Sequence, residues 1–358
     1  MQDRRSIYDT RGIDELRREL RFEPGLLRRL RIAYFKKSLG TEAALAELPA
    51  GVRDAFAERV EFHPFVLHKR CDSQLDGATK LIFRTAAGML IESVILRAGT
   101  GRVALCVSSQ VGCAAACDFC ATGKMGMAHS LSAAEILDQV VQANELLRGE
   151  GRAVRNVVFM GMGEPLHNED AVGRAIETLC DPSLFHHPPS RVLVSTVGVA
   201  DRMVAFAERF PGVNLALSLH SVRQGTREQI IPLAKRYPLP MLRETLAEVQ
   251  RIQTRQLMLE YLMLAGVNDS LEEATELLKW LDGLDVHINL IPFNPVEDAP
   301  HLTGSDRETR ERFAAVLKSA GVPTTIRYSM GADIEAACGQ LVRTENHAVA
   351  AALARARC

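Results

Sequence analysis

Several things are scarce in this 358-residue chain. It has one tryptophan, and aromatic residues make up 5% of it, so it offers no base-stacking platform of the kind that reads single-stranded RNA. No apolar run reaches the roughly 18–20 residues of a membrane span. The charged N-terminal stretch lacks the apolar core of a secretory signal. These absences predict a cytoplasmic protein with no membrane partner. The formal net charge of −1 exerts no global pull towards nucleic acid, and neither an internal repeat nor a low-complexity segment is visible.

What is present is the mixture of a globular protein, 47% apolar and 24% charged. Charge is uneven along it. Arg17, Arg18, Arg21, Arg28, Arg29, Arg31, Lys36 and Lys37 face only Glu19 and Glu23, a pattern shared by solvated helices and phosphate-binding surfaces. The first seventy residues read as helical, with three- and four-residue apolar spacing over 12–21, 23–37 and 51–59. Residues 80–84 and 89–96 alternate around the turn-like 86–88, which predicts a hairpin. From about residue 102, strand-like runs alternate with helix-like ones, the first helix opening on Ser132 with Glu135 as a capping box. Strand–helix alternation means parallel β. About six βα units fall short of the eight of a closed barrel, so the expected class is α/β, a partial (βα)6 barrel of the TIM type.

The eight cysteines lie at 71, 106, 113, 117, 120, 180, 338 and 358. Clustered cysteines in a reducing compartment point to metal or redox chemistry rather than disulfides. Cys113, Cys117 and Cys120 stand on one short stretch with no fourth cysteine or histidine close by. Structural zinc wants four protein ligands, so the spacing favours an iron–sulfur cluster with one iron left open, although His129 keeps zinc in play. An open iron can chelate the amino and carboxylate groups of S-adenosylmethionine.

The segment CVSSQVGCAAACDFCATGKMG (106–126) resembles the radical S-adenosylmethionine superfamily, and within it the RlmN/Cfr family of RNA adenosine methyltransferases. GMGEPL (161–166), STVG (195–198), LALSLH (215–220), LAGVNDS (264–270), NLIPFNP (289–295) and DIEAACGQL (333–341) follow in the family's order. The resemblance implies a [4Fe–4S] cluster on Cys113, Cys117 and Cys120 and two S-adenosylmethionine molecules per turnover. It implies that one molecule methylates Cys338. The second yields a 5′-deoxyadenosyl radical that takes hydrogen from that methyl group, and the carbon radical then adds to an adenine ring carbon. Cys106 resolves the resulting protein–RNA link by attacking Cys338, and Glu92 removes the adenine proton. Gly163, Glu164, Ser195, Ser218, Leu219, His220 and Asn294 are implied contacts of S-adenosylmethionine. Taken singly, Cys106 and Cys338 would read as small buried apolar residues, Glu92 as a strand's solvent face, and Asn294 as a turn residue.

The implied organisation is a basic, helical, RNA-docking accessory domain over 1–74, a β-hairpin linker over 75–101, the radical core over 102–342 and a tail over 343–358. The implied substrate is an adenosine of 23S rRNA, with tRNA as a second candidate, and the implied reductant is a protein such as flavodoxin or ferredoxin. The chain is expected to act as a monomer. Two carbons are available to the family: C2 in the RlmN type, which we favour, and C8 in the Cfr type. Two other classes stay open from the residues, an RNA-binding protein with structural zinc and a radical enzyme acting on something other than RNA. The His186–His187 pair reads as a solvated loop, and Cys71, Cys180 and Cys358 match no motif.

Overall fold

The computed structural model describes residues 4–341 and Asn346. Ten strands form one mixed sheet. They are β1 (Val66–Asp72), β2 (Ala78–Arg84), β3 (Leu90–Arg97), β4 (Val103–Cys106), β5 (Asn156–Phe159), β6 (Val192–Thr196), β7 (Asn214–Ser218), β8 (Leu257–Met263), β9 (Val286–Pro292) and β10 (Thr324–Ile326). Each strand lies beside its neighbours in sequence, from β10 at one edge to β1 at the other. Strands β4 to β10 are parallel, while β1, β2 and β3 pair antiparallel and join through β4.

The six crossovers hold helices α1 (Ala133–Arg148), α2 (Glu169–Cys180), α3 (Ala200–Arg209), α4 (Leu239–Ile252), α5 (Leu271–Trp280) and α6 (Arg307–Ser319). They cover one face of the sheet, where Val194, Leu259 and Ile288 are fully buried, while the opposite face carries Ser195, Ser218 and Glu260. The Ser132–Glu135 capping box forms in both directions, at 3.2 and 2.8 Å, and starts α1. Since β1 and β10 do not pair, the sheet is an open, partial barrel. Among the described residues no helix is long and apolar enough to cross a membrane.

The hairpin is no mere linker, because β2 and β3 are full members of the sheet. The N-terminal segment also departs from an all-helical expectation. Helices at Thr10–Glu19, Pro24–Arg31, Thr41–Leu45 and Ala50–Arg59 are framed by a short parallel pair, Arg5–Ser6 with Val60–Glu61, and Val66–Asp72 is a strand. Nor has this segment a core of its own. Ile7, Leu16, Phe35 and Phe56 pack in the same apolar cluster as the sheet residues. Of its cations, Arg17, Arg29, Arg31 and Lys36 are engaged within the chain. Arg18, Arg21, Arg28 and Lys37 are exposed, and their side chains enter no hydrogen bond or ion pair among the described residues. The tail over 343–358, including Cys358, lies outside the described residues except for Asn346, whose amide bonds the backbone of Leu90.

A polar clasp joins the N-terminal segment to α1. The buried Asp138 carboxylate accepts from the Tyr8 hydroxyl at 3.2 Å, from Phe65 N–H at 3.1 Å and from Gln142 at 2.9 Å. His63 Nδ1 lies 2.7 Å from it. Burial alone would depress the imidazole, but the Asp138 hydrogen bond and the charges of Asp138 and Glu145 outweigh it and raise His63 above its ordinary 6.5. A raised folded value contributes stability that is complete below about pH 6.5 and fades as pH rises through the folded value. His63→Gln should therefore flatten the fall in thermal stability above that pH; equal slopes in variant and parent melting curves would refute the clasp's charge.

Candidate active site

The C-terminal ends of parallel strands gather at one end of an α/β barrel, and here the ends of β5 to β9 and the loops beyond them, with the loop after β4, line a single cavity of about 150 Å³. Cys113, Cys117 and Cys120 stand on its wall, together with Gly163, Glu164, Ser195, Ser218, His220 and Cys338. Burial pushes the Cys113 thiol up to about 12 and raises Cys117 and Cys120 as well. Such thiols keep their protons until a metal centre displaces them. Among the described residues no three His, Cys, Asp or Glu side chains are gathered for a single metal ion. Cys117 feels the charges of Cys120 and Cys113, and all three thiols line one cavity, a donor set that fits a cluster with one iron open to that cavity.

Local chemistry explains each wall residue. Gly163 has φ +100, and a Cβ there would fall 2.6 Å from the Gln110 Cβ, so only glycine lets the turn after β5 press against the loop after β4. The next residue, Glu164, is buried. Its oxygens accept from Leu166 N–H at 3.0 Å and Val197 N–H at 2.9 Å, while burial drives its carboxyl up to about 7. Ser195 and Ser218 lie on adjacent strands with their hydroxyls 3.3 Å apart. Burial, then the nearby Arg227 charge, take His220 down to about 3. Its Nδ1 accepts from Leu262 N–H at 3.0 Å, so the neutral ring offers its other nitrogen, and Phe119 of the cluster loop meets it edge-on at 5.0 Å.

Two residues expected at S-adenosylmethionine do not line this cavity. Leu219 is fully buried in the core, packed with the apolar cluster of the sheet. Asn294 is absent from the cavity wall and donates to the Cys338 carbonyl at 3.1 Å, so it holds the loop carrying that cysteine.

Cys338 stands at a junction. A second cavity shares Met160, Ile291 and Cys338 with the first and continues past Cys106, Arg327 and the exposed Tyr328. Cys106 ends β4 opposite Val94 of β3, and Glu92 is two residues from Val94 on the same face. The structure thus brings Cys338, from far along the chain, to Cys106 and the neighbourhood of Glu92 on two consecutive strands. Burial, then Cys338, push Cys106 up to about 12, and the Arg327 guanidinium opposes them.

Three charged residues had escaped notice in the sequence. Arg327 lies 3.5 Å from Glu260, itself buried on the cavity wall in the apolar run LMLEYLM. A charge inside such a run is the signal that a partner waits elsewhere. Arg227 is the third. Fully buried, it donates to the carbonyls of Ser218 at 2.9 Å and Val197 at 2.6 Å and to that of Leu219, and burial brings it down to about 10.

Comparison with known proteins decides what this site is. Residues 107–281 match the model of the Radical SAM superfamily. The chain is 42% identical over 316 residues to the "Probable dual-specificity RNA methyltransferase RlmN" of Thermus thermophilus, covering 88% of each. The chain belongs to the RlmN/Cfr family of radical S-adenosylmethionine RNA methyltransferases. It is also 56% identical over 340 residues to a "Probable RNA methyltransferase" of Rhodopirellula baltica, covering 95% of this chain and 88% of that one. A radical SAM methyltransferase from Sphaerobacter thermophilus has the same fold, with a TM-score of 0.88, 36% identity, and coverage of 94% of this chain and 99% of that one. RlmN/Cfr enzymes work with a [4Fe–4S] cluster and S-adenosylmethionine, and the three-thiol cavity described above suits both.

Arg227 makes a direct test of how the strand ends are held. Arg227→Met leaves three carbonyls without their donor and should cost about 3 kcal/mol or more. Denaturant unfolding of the purified protein measures it, and a loss below about 1 kcal/mol would show that the clamp is dispensable.

Proposed function

We propose that this protein methylates C2 of an adenosine in 23S rRNA, with tRNA as a second substrate, by way of a methyl group carried on Cys338. The observation that carries the proposal is the place of Cys338, where the cavity of Cys113, Cys117 and Cys120 meets the cavity of Cys106. The RlmN names of relatives favour C2, and the words "dual-specificity" in the Thermus thermophilus name favour two RNA substrates.

In this proposal Cys113, Cys117 and Cys120 hold the cluster, and Gly163, Glu164, Ser195, Ser218 and His220 hold S-adenosylmethionine. The bound cluster supplies the electron that breaks the carbon–sulfur bond of that molecule. Cys338 gives the methyl group a nucleophilic sulfur to rest on, since an adenine ring carbon is too poor a nucleophile to take it from a sulfonium directly. Asn294 keeps the Cys338 backbone at the mouth of the first cavity. Glu92 takes the proton from the adenine carbon, and Cys106 attacks the Cys338 sulfur to form a Cys106–Cys338 disulfide, the carbon–sulfur bonding pair leaving with the base and taking up a proton to complete its methyl group. The unpaired cations Arg18, Arg21, Arg28 and Lys37 offer the RNA backbone a docking surface. A reductase protein such as flavodoxin or ferredoxin completes the cycle, and one copy of the chain suffices.

Mass spectrometry of RNA nucleosides from cells with and without the gene should show C2-methyladenosine disappearing with it. A lost C8-methyladenosine would transfer the protein to the Cfr type, and loss of neither would overturn both forms. In the reconstituted protein, Cys106→Ala should trap RNA covalently on Cys338. A colourless protein that binds zinc and makes no 5′-deoxyadenosine would refute the radical chemistry.

A further inference from the structure

A buried ammonium needs a reason, and the mechanism above leaves one over. Lys80 lies in β2 with 4% of its surface exposed. Its Nζ is 3.8 Å from Oε1 of the fully buried Glu92 and donates to the backbone carbonyl of Glu335 at 3.2 Å. Register accounts for the first contact. Lys80 pairs with Val94, and Val94 pairs with Cys106, so Lys80, Glu92 and Cys106 project from one face of the sheet. The second contact reaches much further along the chain, because Glu335 is three residues before Cys338 and turns the backbone there with φ 52.

The segment joining β1 to β2 supports the same turn. Ser73 Oγ and Gln74 N–H bond the Asp333 carboxylate at 2.8 and 2.9 Å, and Asp76 accepts from Gly331 N–H at 2.8 Å. These three contacts hold the loop. Lys80 is a fourth tie to it, and alone of the four also touches a residue of the proposed chemistry. A buried ion pair is a poor stabiliser, since an apolar pair of the same volume would serve the fold as well.

We propose that Lys80 is a positioning residue for proton removal, holding the Glu92 carboxylate ionised and in fixed relation to the loop that carries Cys338. The proposal rests on Glu92 as proton acceptor and Cys338 as methyl carrier. In the step concerned, the C–H bond at the substituted adenine carbon breaks. Its proton passes to a Glu92 oxygen, the bonding pair stays with the ring, and no electron enters or leaves. A buried carboxyl drifts towards its neutral form, which cannot take that proton, and an adjacent ammonium opposes the drift. Because the same ammonium grips the Glu335 carbonyl, the base and the methyl-bearing loop share one anchor.

The test uses the full-length, reconstituted protein with 23S rRNA. In Lys80→Met, Cys338 still becomes methylated, read as a mass gain on the protein. RNA methylation falls about 10- to 100-fold, within what a general base supplies, and a covalent protein–RNA adduct accumulates although Cys106 is present. Lys80→Arg restores most of the product, and Lys80→Met adds no further loss to Glu92→Gln. Undiminished RNA methylation in Lys80→Met overturns the proposal. So does a parallel loss of Cys338 methylation, which would leave Lys80 only a part in folding the loop. Glu92→Gln separates the two layers. Full RNA methylation in that variant defeats the underlying assignment of the base, whereas a blocked Glu92→Gln beside an active Lys80→Met defeats the role of Lys80 alone.

Discussion

Everything at the site depends on strands entering the sheet in sequence order. Each crossover from β4 to β10 returns the chain to the next position in the sheet, so every loop after a strand emerges at the same end. That constraint puts the cysteine loop after β4, the Gly163–Glu164 turn after β5, Ser195 near the end of β6 and Ser218–His220 after β7 around one cavity. No single contact could gather them. Burial of one apolar face of the strands beneath the crossover helices does so by fixing where every strand end must be.

The second organising element is the loop of Cys338, which the sheet does not position by itself. It is held from both sides by backbone contacts. Ala121 N–H bonds the Gly339 carbonyl at 2.8 Å, Thr122 bonds that of Leu341, and Asn294 bonds that of Cys338. The β1–β2 connection supplies the opposite side. Hydrogen bonds to main-chain atoms leave the cysteine side chain unconstrained, so the sulfur stays exposed while its backbone is tied. The open barrel matters here. With β1 and β10 unpaired, there is room for this loop and for a second cavity at its back.

Much of this was legible in the sequence because the signals are local. The hairpin, the alternation of strands with six helices and the Ser132–Glu135 box each depend on residues within a few positions of one another. The strands missed were those with weak local pattern. Val66–Asp72 alternates feebly because much of it is exposed, and Arg5–Ser6 is too short to signal anything before its partner at Val60–Glu61 is known. The same divide runs through the site. Cysteine spacing marked the cluster loop, but Leu219 was grouped with Ser218 and His220 because a motif does not say which side chains face in. Lys80, Arg227, Glu260 and Arg327 were invisible as site residues, since spacing along the chain does not show which group each charge will meet.

By itself the sequence determined the chemistry available: three thiols on one loop, two further cysteines in the family's positions, and parallel strands to carry them. Those are properties of spacing and residue type, and they survive in any fold the chain could adopt. Tertiary structure alone decided which of these groups meet. It put Cys338 between two cavities, set Cys106 on the face shared by Glu92 and Lys80, and tied Asn294 to the backbone of Cys338. The reason is that reactivity here depends on burial and charge at distances of a few ångströms, between residues that only the closing of the sheet brings together.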